Sequence, residues 1–506
     1  MKELLCAKAA RANDHYTIHS LGISERELIL RVARSAMDSL TEGYDVSAPC
    51  IVCGHGNNGA DGIALAILLC EIGCKTTIVY AGKCAQSGQP DTDAMSASCR
   101  EFYEQALKAG IPILCHALPK KASVMVDAIF GIGLHGEIPE GIRRIIDAMN
   151  QTGTPILAID IPSGVHADTG ETAQTAVYAT QTMTVQSDKP GLHIYPGADH
   201  AGKITVADVG IRPAPDSPAP LFYSLEQSDI PTLLPPRPLR AHKGTFGRVL
   251  LITGSDCMAG AAYMAAMGAF RSGAGLVEIF TPEQNRIILQ QLVPEAILSC
   301  YSPAKDVAPM LIESVARADT IVLGCGLGRS EAAEQAVAYT LKTAKVPLVL
   351  DADALNLIAK QPELLQNLDT AQKAQTVMTP HAAEAARLLG CSISDVTGHV
   401  HTAAQALTEK YGTNVLLKDA HSLICAHDGS VCFVNPTGST ALSTAGSGDI
   451  LAGMIGGLAA AKTNAQPMHT SAALAAYLHG LAGRRAEQSV GARAAMARDI
   501  LQGLVN

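Results

Sequence analysis

Ile51-Val52-Cys53-Gly54-His55-Gly56-Asn57-Asn58-Gly59-Ala60-Asp61-Gly62 (residues 51–62) carries a short β-branched run into a glycine-rich loop, and an apolar helical pattern follows over Ile63 to Ile72. A strand that feeds a helix in this way turns backbone N–H groups and a helix N-terminus toward one opening, a geometry that accepts phosphate. Glycines also serve tight turns for purely steric reasons, so the loop alone leaves both readings open. Further runs at Thr76 to Tyr80, Val124 to Ile129 and Pro155 to Asp160 alternate with helical patterns. That alternation predicts a parallel, Rossmann-like sheet with its functional loops at the strand C-termini. Upstream, Ser24-Glu25-Arg26-Glu27 is a capping-box pattern before Leu28, Val32 and Met37, so a helix is expected to start there.

Two more loops of this half carry polar groups. Asp127 ends a strand before Gly131-Ile132-Gly133-Leu134-His135-Gly136-Glu137, and Asp160 ends the next before Ile161-Pro162-Ser163-Gly164. A carboxylate at a buried strand end is costly unless it meets a cation, a ligand hydroxyl or loop amides. The alternative is that both residues cap the loops that follow them.

The other half repeats the α/β grammar with different loops. Strands are expected at Arg248 to Thr253, Leu276 to Phe280, Thr320 to Leu323, Pro347 to Leu350, Thr376 to Met378 and Asn414 to Leu417. Its strongest feature is Thr444-Ala445-Gly446-Ser447-Gly448-Asp449-Ile450-Leu451-Ala452-Gly453, a small-residue loop before an apolar helix from Ile450 to Ala460. Glycines let N–H groups approach an anion, the helix N-terminus adds positive potential, and a carboxylate there can take a proton from an attacking hydroxyl. The alternative for Asp449 is a plain helix N-cap.

Eight of the 26 prolines (213, 215, 218, 220, 231, 235, 236 and 238) fall in one stretch, which predicts a stiff connector over residues 213–240 between domains at 1–212 and 241–506. Hydrophobic residues are 48% and aromatics 4%, without Trp, so the cores must be built from Ala, Val, Ile and Leu, as suits close α/β layers. A formal charge of −9 without a basic run argues against nucleic acid as a partner. Fourteen Cys scattered along the chain predict reduced, mostly buried thiols and a cytoplasmic protein rather than a zinc site or disulfide framework. The Gly- and Ala-rich apolar stretches fall short of the roughly 18 residues of a membrane span.

On GNNGxDG at 56–62, DAxFGxGLxG at 127–136, IDIPSG at 159–164 and Ser187-Asp188-Lys189-Pro190-Gly191, the first half resembles the epimerase domain of the NAD(P)H-hydrate repair enzymes. The second half resembles their dehydratase domain, a branch of the ribokinase-like superfamily. That likeness runs through His242-Lys243-Gly244, Gly254-Ser255, Gly324-Cys325-Gly326-Leu327-Gly328, Asp351-Ala352-Asp353, Thr379-Pro380-His381 with Glu384, Leu417-Lys418-Asp419 and the GxGD loop. The resemblance implies a bifunctional enzyme that epimerises the two hydrates of NADH or NADPH and dehydrates one of them at the expense of ADP, releasing AMP and phosphate. It would put Asn57, Asn58, Gly59, Ala60, Asp61, Gly131, Ile132, Gly133, Leu134, His135, Gly136, Glu137 and Asp160 on the hydrated dinucleotide, with Asn58, Asp127 and Ser163 around K+. In the second half it would put Ala261, Gly326, His381 and Asp449 on the hydrate, and Lys418, Asp419, Ala420, His421, Ser422 and Gly448 on the nucleotide, with Mg²⁺ between them. Departures from the family pattern include Cys325 for a usual Pro and Asp419 for a usual Gly.

Asp160 and Asp449 are thereby the expected catalytic residues, one as acid–base group and one as the base that activates the hydroxyl. For His381 the residue-level alternative is a core histidine satisfied by backbone, and for Lys243 and Lys418 a solvated lysine. A homo-oligomer is expected. The alternative function is a ribokinase-like vitamin-precursor kinase carrying an N-terminal nucleotide-binding module.

Overall fold

The computed structural model describes residues 1–505 apart from 86–87, 135, 303–305 and 465. The chain divides into two compact units, one of residues 3–222 with 398–400, the other of 1–2, 223–397 and 401–506. Both are α/β and built on largely parallel sheets. Among the described residues no helix is long and apolar enough to cross a membrane.

In the first unit seven parallel strands lie in the order Ile113–Cys115, Thr77–Tyr80, Cys50–Cys53, Met125–Ala128, Ile156–Ile159, Gln181–Val185, Lys203–Ala207. The chain starts beside the middle, winds outward one way, then returns and winds the other way, so the reversal falls between Cys50–Cys53 and Met125–Ala128. Successive side chains of a strand point to opposite faces. Ile51 and Cys53 accordingly join one core with helices Glu25–Gly43, Asn57–Glu71 and Ala97–Lys108, whereas Cys50 and Val52 join another with helix Glu140–Gln151. Both faces are covered, as a parallel sheet requires.

The second unit has the strand order Cys432–Asn435, Ser422–Cys425, Asn414–Leu417, Thr376–Met378, Leu348–Leu350, Thr320–Leu323, Arg248–Ile252, Leu276–Pro282, Ile297–Tyr301. Strands from Asn414–Leu417 to Ile297–Tyr301 pair in parallel, and Ser422–Cys425 with Cys432–Asn435 forms an antiparallel hairpin. Here the winding reverses between Arg248–Ile252 and Thr320–Leu323.

Several expectations need correction. The helix after the first glycine loop begins at Asn57, not Ile63, and that after the GxGD loop at Ser447, not Ile450. A first helical turn satisfies its N–H groups outward rather than by apolar contacts, so hydrophobic periodicity is silent there. Ser24 does cap helix Glu25–Gly43 by accepting from Glu27 N, but the Glu27 carboxylate turns to Arg31 instead of closing a box. The proline-rich stretch is no bare connector, since it holds the strand Phe222–Ser224, the 3₁₀ turn Gln227–Asp229 and the short helix Ile230–Leu233. All fourteen cysteines are free, but six are fully buried and two, Cys257 and Cys391, are exposed.

One helix pair explains the alanine- and glycine-rich composition. Helices Ser447–Ala460 and Ala259–Arg271 touch backbone to backbone. A Cβ on Gly453 would lie 2.0 Å from the Ala265 carbonyl oxygen, one on Gly268 2.3 Å from that of Ile450, and one on Gly457 2.5 Å from that of Ala269. Close packing of this kind leaves no room for a side chain, and overpacking costs about 1–3 kcal/mol or more. Gly453→Val should therefore lower the thermal midpoint of the full-length protein by several degrees. Gly260→Ala in the same helix pair, where nothing lies within 4 Å of the new methyl, should hold or raise it, since Ala is the better helix former by about 1 kcal/mol.

Candidate functional site

In an open parallel sheet the loops at a winding reversal diverge and leave a crevice beyond the strand C-termini. The first unit has a cavity of about 660 Å³ there, lined by Asn57, Asn58, Asp61, Gly131, Ile132, Gly133, Leu134, Glu137 and Asp160 among others. Gly54 lets the two loops approach, because a Cβ on it would lie 2.1 Å from the Ile129 carbonyl oxygen. Gly59 and Ala60 do not line the cavity. They are buried in the first helical turn and offer it backbone only. Gly136 also lies off the lining, and His135 is outside the described residues.

Asp160 sits immediately after its strand with φ 70°, a left-handed backbone that non-glycine residues rarely adopt and that concentrates at functional sites. Its Oδ2 accepts from Ile132 N at 3.1 Å and its Oδ1 from Lys189 Nζ at 2.7 Å. Lys189 is wholly buried and also donates to Thr184 Oγ1 and Val185 O, both at 2.8 Å. A buried charge pair of this kind persists only when its hydrogen bonds are complete. Nothing in the run 187–191 alone gives Lys189 a role; only the fold brings it to Asp160.

Asp127 and Ser163 are not among the residues lining the cavity; Asp127 is fully buried and satisfied internally, accepting from Ser163 N at 2.7 Å, Ser163 Oγ at 2.6 Å and Ile129 N at 3.2 Å. Burial lifts its carboxyl to about 6 against the pull of those bonds. Asn58 donates to Ile159 O at 3.3 Å, which turns its amide oxygen away from that bond. The expected cation ligands are thus an all-oxygen set with one carboxylate, chemistry that fits a hard cation.

In the second unit the loops facing each other across the reversal are 254–261 and 324–328. Gly324, Gly326 and Gly328 all have positive φ, and a Cβ on Gly326 would lie 2.6 Å from that of Ala261. The GxGD turn joins them. Gly446, at φ 92°, is the residue that caps helix Ser447–Ala460, so Asp449 is its third residue and caps nothing. The N-cap alternative for Asp449 is therefore overturned. Burial first, and the nearby Asp351 charge second, lift the Asp449 carboxyl to about 7, while Lys418 and a hydrogen bond from Cys325 oppose the rise.

Lys418 is no solvated lysine. Its Nζ is 2.7 Å from Asp351 Oδ1, 4.0 Å from Glu384 Oε2 and 3.5 Å from where a Cβ on Gly448 would be. Burial works against its charge, but Asp351 and Glu384 outweigh it and hold the ammonium above its ordinary range. Thr379 Oγ1 donates to the same Asp351 oxygen at 2.7 Å. His381 is not a core histidine either. It is exposed and caps helix Ala382–Leu389, its Nδ1 accepting from Ala383 N and Glu384 N, with Nε2 3.4 Å from Glu384 Oε1. Asp419 is exposed and accepts from the Ala420 amide at 2.7 Å, so its carboxylate is engaged in its own turn. Ala420 and His421 complete that turn, and Ser422 opens the next strand. Lys243 is exposed.

Two family models match the chain: one described as NAD(P)H-hydrate dehydratase over residues 249–505, one as YjeF-related protein N-terminus over residues 25–191. A bifunctional NAD(P)H-hydrate repair enzyme of Coxiella burnetii is 36% identical over 499 residues, 96% of each chain. The namesake of Escherichia coli is 32% identical over 96% of this chain and 90% of its own. The chain belongs to the bifunctional NAD(P)H-hydrate repair enzymes. A ribokinase-like superfamily protein of Enterococcus faecalis, of solved structure, is 29% identical and covers 56% of this chain and 94% of its own with a TM-score of 0.49.

Within this repair enzyme the Lys189–Asp160 pair can be tested alone. Lys189→Met should destabilise the first unit by about 3–5 kcal/mol, the cost of leaving one buried charge uncompensated. Adding Asp160→Asn should recover part of the loss in chemical denaturation; a double variant as unstable as the single one would show that the pair is not what the lysine supports.

Proposed function

We propose that the first unit interconverts the two epimers of hydrated NADH or NADPH, and that the second dehydrates one epimer with ADP as phosphoryl donor, yielding the reduced cofactor, AMP and phosphate. The observation that carries this reading is the Gly446–Asp449 turn, whose carboxylate is freed from capping duty at a helix N-terminus while the Lys418 ammonium lies beside Gly448. The family's near full-length relatives support the same reading and give the first unit a purpose that a vitamin-precursor kinase would leave unexplained.

The chemistry follows from the poor leaving ability of hydroxide. Asp449 takes the proton of the hydrate hydroxyl, whose oxygen attacks the terminal phosphorus of ADP as the bridging oxygen departs with AMP. The amides of Gly446 to Gly448 and the Lys418 ammonium stabilise charge on the transferring group. The ring nitrogen then expels phosphate with the C–O pair, and loss of a ring proton restores the dihydronicotinamide. Ala261, Gly326 and His381 would hold the hydrate, and Lys418 to Ser422 with Gly448 the nucleotide. Asp351, Asp449 and Cys325 approach one another closely, but the thiol is soft and Asp351 is engaged by Lys418. The set therefore fits Mg²⁺ only as an ion carried on the nucleotide phosphates, whose charge it would offset. In the first unit Asn58, Asp127 and Ser163 would hold K+, which would supply a fixed positive charge.

Incubation of hydrated NADH with ADP tests the proposal: the absorbance of the reduced cofactor should return, and a stable phosphorylated product instead would refute it. Asp449→Asn should reduce turnover at least a hundredfold while sparing ADP binding. With the Asp449 carboxyl near 7, the base is increasingly protonated as pH falls. The kcat/KM for dehydration should accordingly drop below about pH 7 and level off above it in a pH–rate profile.

A further inference from the structure

The epimerase pocket must act on both faces of one ring carbon, because the hydroxyl leaves from one face and water returns to the other. Asp160 is one acid–base group. Asp61 and Glu137, on the motif loops assigned to the dinucleotide, and Glu25, which accepts from Asn57 and Ser98, also line the cavity, and the fold adds one more carboxylate from a further helix. Ala10, Arg11, Asp14 and Ile18 of helix Ala7–His19 share one helical face and line the same cavity as Asp160. The helix is anchored over that carboxylate: Arg11 Nη2 donates to the Ile132 carbonyl at 2.9 Å, and the Ile132 N–H is the one that donates to Asp160. Asp14 follows Arg11 by one turn.

We infer that Asp14 is the second acid–base residue of this pocket, so that Asp14 and Asp160 each serve one face of the hydrate. This rests on the epimerase reading of the first unit. Protonated Asp14 gives its proton to the departing hydroxyl. The C–O pair leaves with water, and the ring nitrogen lone pair forms the C=N⁺ bond. Water then attacks the opposite face, its oxygen forming the new C–O bond as the C=N⁺ pair returns to nitrogen, and its proton passes to Asp160. Asp160 is now the acid and Asp14 the base, which is the state required for the reverse conversion, so no oxidant or further reactant is needed. Lys189 gives Asp160 its charged partner, whereas among the described residues no hydrogen bond or ion pair holds Asp14. Burial first, and the Asp160 charge second, lift the Asp14 carboxyl to about 6, which keeps both of its forms accessible near neutrality.

Two measurements on the full-length protein, each against an enzyme-free control, separate the outcomes: interconversion of the resolved epimers, and exchange of their hydroxyl oxygen with ¹⁸O-labelled water. Wild-type protein should accelerate both; if it accelerates neither, the epimerase reading itself falls. Asp14→Asn should lose interconversion about a hundredfold or more yet still exchange one epimer without inversion, because Asp160 can remove and return water on its own face. Asp160→Asn should do the same for the other epimer. Interconversion by Asp14→Asn at the wild-type rate would overturn the inference while leaving the epimerase reading intact. Should Asp14→Asn lose exchange of both epimers, Asp14→Glu decides: interconversion restored to within tenfold of wild type supports the acid–base role, and a Glu variant as inert as the Asn one overturns it.

Discussion

A parallel sheet that reverses its winding cannot close the space beyond its own reversal. Adjacent strands there send their chains to opposite faces, and the loops between them part. Both units are organised around that constraint, at Cys50–Cys53 beside Met125–Ala128 and at Arg248–Ile252 beside Thr320–Leu323. In each pair of facing loops a glycine lets the two chains close up, Gly54 against the Ile129 backbone and Gly326 against the Ala261 methyl. The polar groups of each site are whatever side chains those parting loops carry.

The two crevices handle charge differently. In the first, a buried lysine neutralises the strand-end Asp160, and Asp127 is hydrogen-bonded to Ser163. In the second, Lys418 is drawn to Asp351 and Thr379 lends a hydroxyl, which leaves Asp449 the carboxylate with the raised affinity for a proton. The proposed base and its cationic neighbour are thus kept apart by a third residue. Direct pairing with Lys418 would have pulled Asp449 down and cost it basicity.

The second crevice also depends on helix packing. The Gly446–Asp449 turn is presented by a helix that is pressed, glycine to backbone, against helix Ala259–Arg271 from Ile450 to Gly457. Since that partner carries Ala261 and follows the loop that faces Gly326, a shift of one helix would move the proposed base relative to the substrate loops.

The alternation of β-branched runs with apolar helices was enough to predict the α/β class, the central strands and the loops at their C-terminal ends, because strand and helix periods are local properties. It could not reveal the more polar strands Gln181–Val185 and Lys203–Ala207, nor the hairpin at 422–435, whose formation depends on a neighbour to pair with. Helix starts were missed for the same kind of reason, since first turns are held by N–H groups rather than by an apolar face. Motifs at 56–62, 127–137 and 446–449 exposed most of the candidate site residues. They said nothing of Lys189 against Asp160, of Asp14 over the same cavity, or of whether Asp449 caps its helix, because a partner tens or hundreds of residues away is chosen only when strand order brings its loop to the crevice.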